Sequence, residues 1–176
     1  MSSVIEIELE KTYLVKKLPD GIDGCTKKEI LDIYVPEIID HPVLRIRKKG
    51  EKFEITKKQP ICGSDSSEQE EHTIRLSSDE FDAFAKTNGK RVRKIRYDYK
   101  YNGIKAEIDV FQDDLAGLVL ADFEFNDINK KDSFKVPDFC LVDVTQDKTF
   151  AGGMLCGKKY SDIEIRLREL GYERIA

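Results

Sequence analysis

The chain has 176 residues, of which 40% are hydrophobic and 36% are charged, and its formal net charge is −4. That length suits one domain with a real core, which we expect to span residues 1–176. The acidic balance argues against a general nucleic-acid binder, and no apolar run approaches the roughly 20 residues that span a bilayer.

Cysteine and histidine are too sparse and too scattered to favour a zinc site. The four cysteines include no Cys-x-x-Cys pair, and there are only two histidines. The first residues show neither a basic segment nor an apolar signal core. We therefore expect a cytoplasmic protein whose cysteines are reduced.

Residues 4–15 open the chain with a predicted strand in which polar and apolar side chains alternate. The polar face carries Glu6, Glu8, Glu10 and Thr12. Acidic side chains at alternate positions are also found on an ordinary half-buried strand whose polar face meets water. The first strand alone therefore does not decide whether its acidic face meets water or has a function.

The remaining elements are mostly short alternating strands joined by turns. After a predicted helix over residues 27–34, we expect strands at 43–49, 52–58, 70–76, 92–101, 104–111, 118–125 and 141–145, with further helices at 78–86 and 161–171. Short connections favour antiparallel pairing. The predicted fold class is mainly β (α+β), a closed eight-stranded antiparallel barrel with a few covering helices.

The polar faces of these strands carry charges of both signs, so their orientation decides the function. If the charges faced outward, the apolar helices would have no apolar sheet surface to cover. We therefore favour the arrangement in which apolar faces point out under the helices and the charged faces line the interior. Grouped carboxylates bind divalent cations, and arginine and lysine bind phosphate. Sites of phosphoryl transfer use both kinds of residue, so the pattern favours that chemistry.

Several stretches resemble the CYTH domain, or triphosphate tunnel metalloenzymes, a family that includes adenylate cyclases of class IV type and thiamine, inorganic and RNA triphosphatases. They are Glu8-Leu9-Glu10-Lys11-Thr12, Leu44-Arg45-Ile46-Arg47, Lys94-Ile95-Arg96-Tyr97, Glu107-Ile108-Asp109, residues 117–125 and Asp143-Val144-Thr145. The resemblance covers nearly the whole chain in the family's order. It implies an eight-stranded tunnel that holds a triphosphate.

The resemblance also implies roles for individual residues. The expected ligands of Mg²⁺ or Mn²⁺ are Glu6, Glu8, Glu10, Glu107, Asp109, Asp122 and Glu124. The expected triphosphate-binding residues are Arg45, Arg47, Lys58, Lys94 and Arg96. Arg75, from the charged strand faces, and Lys158, which could close one mouth of the tunnel, are added to this set. Catalysis is expected to depend on Glu10, Glu124, Arg45 and Arg47, and the partner is a triphosphate-containing small molecule, with no membrane and no specific nucleic acid; homodimerisation is left open.

Two features depart from simple motif matching. The family's signature lysine is Thr12 when Tyr13 is aligned with the usual aromatic residue, and it is Glu10 in the register that starts at Glu6. Residues 152–158 have the spacing of a phosphate-binding P-loop, but Lys159 stands where serine or threonine should be. Three functions therefore stay open: a metal-dependent triphosphatase, which we favour, an adenylate cyclase, and a module that binds polyphosphate or nucleotide without turnover.

Overall fold

Nine antiparallel strands in one sheet dominate the computed structural model, which describes residues 5–60 and 67–175, without the side chains of residues 5–8, 60 and 68. The strands are β1 (Ile5–Val15), β2 (Lys27–Val35), β3 (Leu44–Lys49), β4 (Lys52–Pro60), β5 (Glu68–Leu76), β6 (Lys90–Tyr101), β7 (Ile104–Phe111), β8 (Val119–Phe125) and β9 (Cys140–Asp143). Four helices accompany them: α1 (Ser78–Ala85), α2 (Ile128–Asp132), α3 (Gly152–Leu155) and α4 (Tyr160–Glu169). The spatial order is β5-β4-β3-β2-β6-β7-β8-β1-β9.

The prediction of a closed eight-stranded barrel is wrong. The sheet has nine strands rather than eight, because β9 joins it beside β1. Strand β1 pairs through residues 5–9 with β5 and through residues 9–14 with β8, so that Leu9 alone pairs with both of these strands. Strand β9 then pairs with residues 13–15 of β1. Alternation along single strands cannot reveal how one strand shares its edges among three neighbours.

The helix predicted over residues 27–34 is also wrong, because this segment is strand β2. It pairs with β3 on one side and with β6 on the other. Ile30 and Ile33 are both fully buried although they lie on opposite faces, so the segment lacks the clean alternation that marks a half-buried strand. Its β-branched and aromatic residues fit a central strand, and pairing along both edges overrides the local helical spacing.

The apolar sides of the strands pack against the helices and against one another in three clusters. Phe81 of α1 covers Ile33 and Ile46, whereas Ile163 and Leu167 of α4 join a cluster that includes Leu118. A third cluster is aromatic and centres on the fully buried ring of Phe123, around which lie Tyr13, Phe134 and Phe139. This packing leaves the polar sides of β1 to β8 facing a common space. In the described part of the chain, no helix has the length and apolarity needed to cross a membrane.

Candidate active site

A cavity of about 650 Å³, called here the central cavity, is lined by alternate residues of strands β1 to β8. Among the described residues of its wall there are nine carboxylates and eight lysines or arginines. The carboxylates are Glu10, Asp32, Glu54, Glu71, Glu107, Asp109, Asp122, Glu124 and Asp147, and the cations are Arg45, Arg47, Lys49, Lys58, Lys94, Arg96, Lys105 and Lys148. The wall is therefore densely ionic but nearly balanced in charge.

Arg47 of β3 is held by the carboxylate of Asp32 on the neighbouring strand β2, its cross-strand partner. Its Nε and Nη2 donate to the two carboxylate oxygens at 2.6 and 2.7 Å. Burial alone would raise the pKa of Asp32, but Arg47, with Arg45 and Lys94, holds it well below its usual range. The pair fixes the guanidinium plane and leaves its other N–H groups available to the cavity.

A second buried network joins β6 to β7. Arg96 donates to both oxygens of Asp109 at 2.6 Å and also contacts Glu107, and Lys94 contacts Asp109. Asp109 is 1% exposed and Arg96 6%. Burial would raise the pKa of Asp109, yet Arg96 and Lys94 lower it, so this carboxylate stays ionised. Such mutual pairing is what lets several charges remain inside a protein.

Two further cations of β3 are less fully satisfied. The Nε of Arg45 is buried and has no hydrogen-bond partner among the described residues. Lys49 lies 3.4 Å from Glu107, a long contact for an ion pair. Burial, together with the charges of Arg96 and Arg47, lowers the pKa of Lys49 to about 8. An anion beside these groups would stabilise their charged forms.

Carboxylates gather where β1, β7 and β8 meet. Glu10 and Glu124 are direct cross-strand partners, and so are Asp122 and Glu107. Like charges in such positions repel unless cations lie between them. Lys58 approaches Glu10 to 3.3 Å, and Lys105 approaches Glu124 to 2.7 Å.

Thr12, one of the two residues that the sequence aligns with the family's signature lysine, contributes only uncharged hydrogen-bonding groups. Its hydroxyl donates to Asp122 at 2.7 Å, and its backbone N–H donates to the Thr145 hydroxyl at 3.0 Å. Asp122 is also 3.6 Å from Arg96. Thr12 therefore fixes a carboxylate of the wall and contributes no charge of its own.

The donor chemistry of this wall fits a hard divalent cation. Glu10, Asp122 and Glu124 offer carboxylate oxygens on adjacent strands, the ligand type preferred by Mg²⁺ and Mn²⁺. Within residues 5–60 and 67–175, no three carboxylate, histidine or cysteine groups already stand together as a metal site. Coordination would therefore require Glu10 and Glu124 to turn from their lysine partners, and Asp122 from Thr12, toward the ion.

Comparison with known proteins agrees with this geometry. The chain is 29% identical to the inorganic triphosphatase of Nitrosomonas europaea over 145 residues, which cover 81% of this chain and 92% of that protein. A solved structure of an inorganic triphosphatase superposes with a TM-score of 0.64 at 26% identity, covering 89% of this chain and 98% of the other. The chain has the CYTH, or triphosphate tunnel metalloenzyme, fold. The resemblance seen in the sequence is thereby confirmed.

Other comparisons are weaker. An inorganic triphosphatase of Acetivibrio thermocellus is 32% identical over 73 residues, which cover 42% of this chain and 46% of that protein. A candidate adenylate cyclase of Bacillus halodurans superposes with a TM-score of 0.53 at 17% identity, over 98% of this chain and 94% of the other, a likeness that shows the fold alone. No family model matches the chain.

Most of the residues that the sequence predicted for the CYTH site line the central cavity. They are Glu10, Arg45, Arg47, Lys58, Lys94, Arg96, Glu107, Asp109, Asp122 and Glu124. Two predicted residues do not: Arg75 is exposed, and Lys158 borders a separate small cavity beside Gly157. The side chains of Glu6 and Glu8 lie outside the described residues, although their backbones pair with Glu71 and Gln69.

Some residues that line the central cavity were not predicted. Asp32 escaped notice because its segment was assigned to a helix, whereas strand alternation would have placed it with Tyr34 on the cavity side. Lys49 and Lys105 continue the polar faces of β3 and β7, so the same alternation could have included them. His41 comes from a loop and Lys148 from a single turn of 3-10 helix, segments too short to show a periodic signal.

Proposed function

We propose that this protein hydrolyses inorganic triphosphate, held in the central cavity together with a divalent cation. The proposal rests on one observation above all: a chain 29% identical to an inorganic triphosphatase along 92% of that protein brings arginines and lysines beside carboxylates in one cavity. That pairing of charges suits a phosphoryl transfer, in which catalysis consists largely of positioning and charge stabilisation.

The phosphate groups would be bound by the cations of β3, β4 and β6. Arg45 and Arg47 offer planar guanidinium groups that match phosphate oxygens, whereas Lys58 and Lys94 act as point charges. Arg96 belongs to the same set. Asp32 engages only part of the donor capacity of Arg47, so phosphate can bind there without breaking that pair.

Charge balance supports a metal requirement. The described wall carries nine carboxylates against eight cations, a difference of one negative charge, so it has no surplus positive charge for a polyanion. Triphosphatases of this kind generally depend on a divalent metal. In this proposal Mg²⁺ or Mn²⁺ is held by Glu10, Asp122 and Glu124, with Glu107, Asp109, Glu6 and Glu8 as further candidates.

The metal, when bound, neutralises phosphate charge and activates a water. The chain's own residues would do the rest. Arg45 and Arg47 hold the triphosphate in one orientation, and Glu10 and Glu124 orient the attacking water through their carboxylate oxygens. Arg96 and Lys94 stabilise the charge that builds up on the phosphate oxygens during transfer.

A screen of substrates against metals tests the activity. Purified protein is assayed for orthophosphate release from tripolyphosphate, ATP and thiamine triphosphate, each with Mg²⁺, Mn²⁺ or EDTA. The expected result is metal-dependent orthophosphate release that is fastest from tripolyphosphate. Release unaffected by EDTA, or absent with every metal, contradicts the proposal.

Site variants test the residues. Glu10→Gln and Glu124→Gln should each abolish metal-dependent release, because they remove a negative charge from the carboxylate wall with little change in size. Glu51→Gln is the matched control, since Glu51 is exposed in the turn between β3 and β4. If Glu10→Gln and Glu124→Gln release orthophosphate as fast as Glu51→Gln, then Glu10 and Glu124 are not part of the site.

The two alternative functions give different products in the same assay. A cyclase would convert ATP to cyclic AMP and pyrophosphate, whereas a triphosphatase yields orthophosphate. A binding module would hold tripolyphosphate without product over hours, and Thr12→Lys would then test whether the missing lysine is the reason. The curated relatives, both named inorganic triphosphatases, favour hydrolysis.

A further inference from the structure

Lys49 extends a row of cations along strand β3. It follows Arg45 and Arg47 at intervals of two residues, and all three line the central cavity. A strand advances about 3.3 Å per residue, so the row spans roughly 13 Å from Arg45 to Lys49. Lys49 is the last residue of the strand and lies beside the Gly50 turn, so it closes the row at that end.

The counter-ion of Lys49 is already committed to other cations. The only ion pair that the described residues record for Lys49 joins its Nζ to Glu107 at 3.4 Å. Glu107 also contacts Arg96 closely and accepts from Lys105 at 3.2 Å. One carboxylate thus serves three cations, and Lys49 has the longest of the three contacts.

Two neighbouring cations of β3 and β6 are better neutralised than Lys49. Both oxygens of Asp32 accept from Arg47 within 2.7 Å, and Lys94 lies in close contact with Asp109. Lys49 by contrast keeps 22% of its side chain exposed and is flanked by Arg47 and Arg96. Its charge is therefore available to an incoming anion.

We propose that Lys49 is a further phosphate-binding residue, which holds the phosphoryl group lying farthest from Arg45 and thereby favours triphosphate over pyrophosphate. The proposal rests on the function proposed above. A diphosphate is one phosphoryl group shorter and can engage Arg45 and Arg47 without reaching the end of the row. Lysine suits this end position because an ammonium is a compact charge that follows a rotating terminal phosphate.

Equilibrium binding tests this assignment. Tripolyphosphate and pyrophosphate are each titrated, by calorimetry with a fixed metal concentration, into wild type, Lys49→Gln, Lys49→Arg and Lys48→Gln, each carrying Glu124→Gln so that the ligand is not hydrolysed during the titration. Lys48 is the matched control, because it carries the same charge one residue away, is exposed and lies over the Phe53 ring at 5.7 Å.

Lys49→Gln should weaken tripolyphosphate binding about tenfold or more, the factor expected for losing one hydrogen bond to a charged group. Pyrophosphate binding should change less than threefold, Lys49→Arg should recover most of the loss, and Lys48→Gln should bind both ligands like wild type. Equal weakening of both ligands, or no weakening of tripolyphosphate, would overturn the assignment.

The same titrations separate this assignment from the proposed function. A wild-type protein that binds tripolyphosphate but never hydrolyses it would refute the triphosphatase, and the ratio of binding constants would still decide on Lys49. A wild-type protein that binds no tripolyphosphate would overturn both.

Discussion

Replacing Asp32 with asparagine isolates a deeply buried ion pair of the cavity wall. The side chains of Asp32 and Arg47 are 2% and 7% exposed, and two hydrogen bonds of 2.6 and 2.7 Å join them. Asparagine keeps the shape and one acceptor but removes the charge, which leaves the guanidinium buried against a neutral amide. Breaking a buried pair in this way costs about 3–5 kcal/mol.

We expect a loss near the lower bound, about 3 kcal/mol, because Asp109 also lies near Arg47 and offsets part of its charge. Urea unfolding measures this loss, and with a slope of about 2–3 kcal/mol/M the midpoint should fall by roughly 1 M. The control is Asp98→Asn, whose partner Lys28 is 41% exposed, and it should cost about 1 kcal/mol or less. A loss in Asp32→Asn no larger than in the control would show that the pair is solvated and would refute the buried-network reading.

Three further outcomes follow from burial and hydrogen bonding. Burial would raise the pKa of Asp32, but its arginine partner lowers it below the usual 3.8. The ionised Asp32 therefore stabilises the fold above that pH, and this stabilisation is lost on acidification. The free energy of unfolding, measured from pH 7 to 3, should decline below about pH 4, and less steeply in Asp32→Asn. Tyr172→Phe removes the hydroxyl that accepts from the Val119 N–H at 2.8 Å and donates to the Gly117 carbonyl, which should cost about 1–3 kcal/mol in urea unfolding. Phe123→Ala empties the centre of the aromatic cluster and should cost about 3–5 kcal/mol by the same measurement, and a cost below 1 kcal/mol would mean that the cluster collapses to fill the space.

Alternation in the sequence predicted the strands and their polar sides well, because the two-residue period of a strand is local. Residues 104–111 were predicted as a strand with the bounds observed for β7, and Glu107 and Asp109 lie on its cavity side. The same reasoning selected Arg75, which has the right alternation yet is exposed. Alternation reveals the side of a strand on which a residue lies, but not whether that point of the strand reaches the cavity.

Features set by tertiary pairing were beyond the sequence. β2 is buried on both sides, so its alternation is masked and Asp32 was hidden within a predicted helix. The division of β1 between β5 and β8 depends on how the ends of the sheet meet, which no local pattern encodes. Lys158 was expected at one mouth of the tunnel, but it borders a separate small cavity instead.

The near-equality of positive and negative side chains in the central cavity has a thermodynamic consequence. Side chains of a single sign of charge would repel one another across the cavity, whereas these nearly balanced charges let the protein stay folded without a bound ligand. Under the proposed function, a polyanion and a divalent cation would bind most readily as a pair, since each supplies the charge that the other needs. Their affinities are then linked by one coupling free energy: saturating the protein with the ion tightens the anion by the same factor by which the anion tightens the ion.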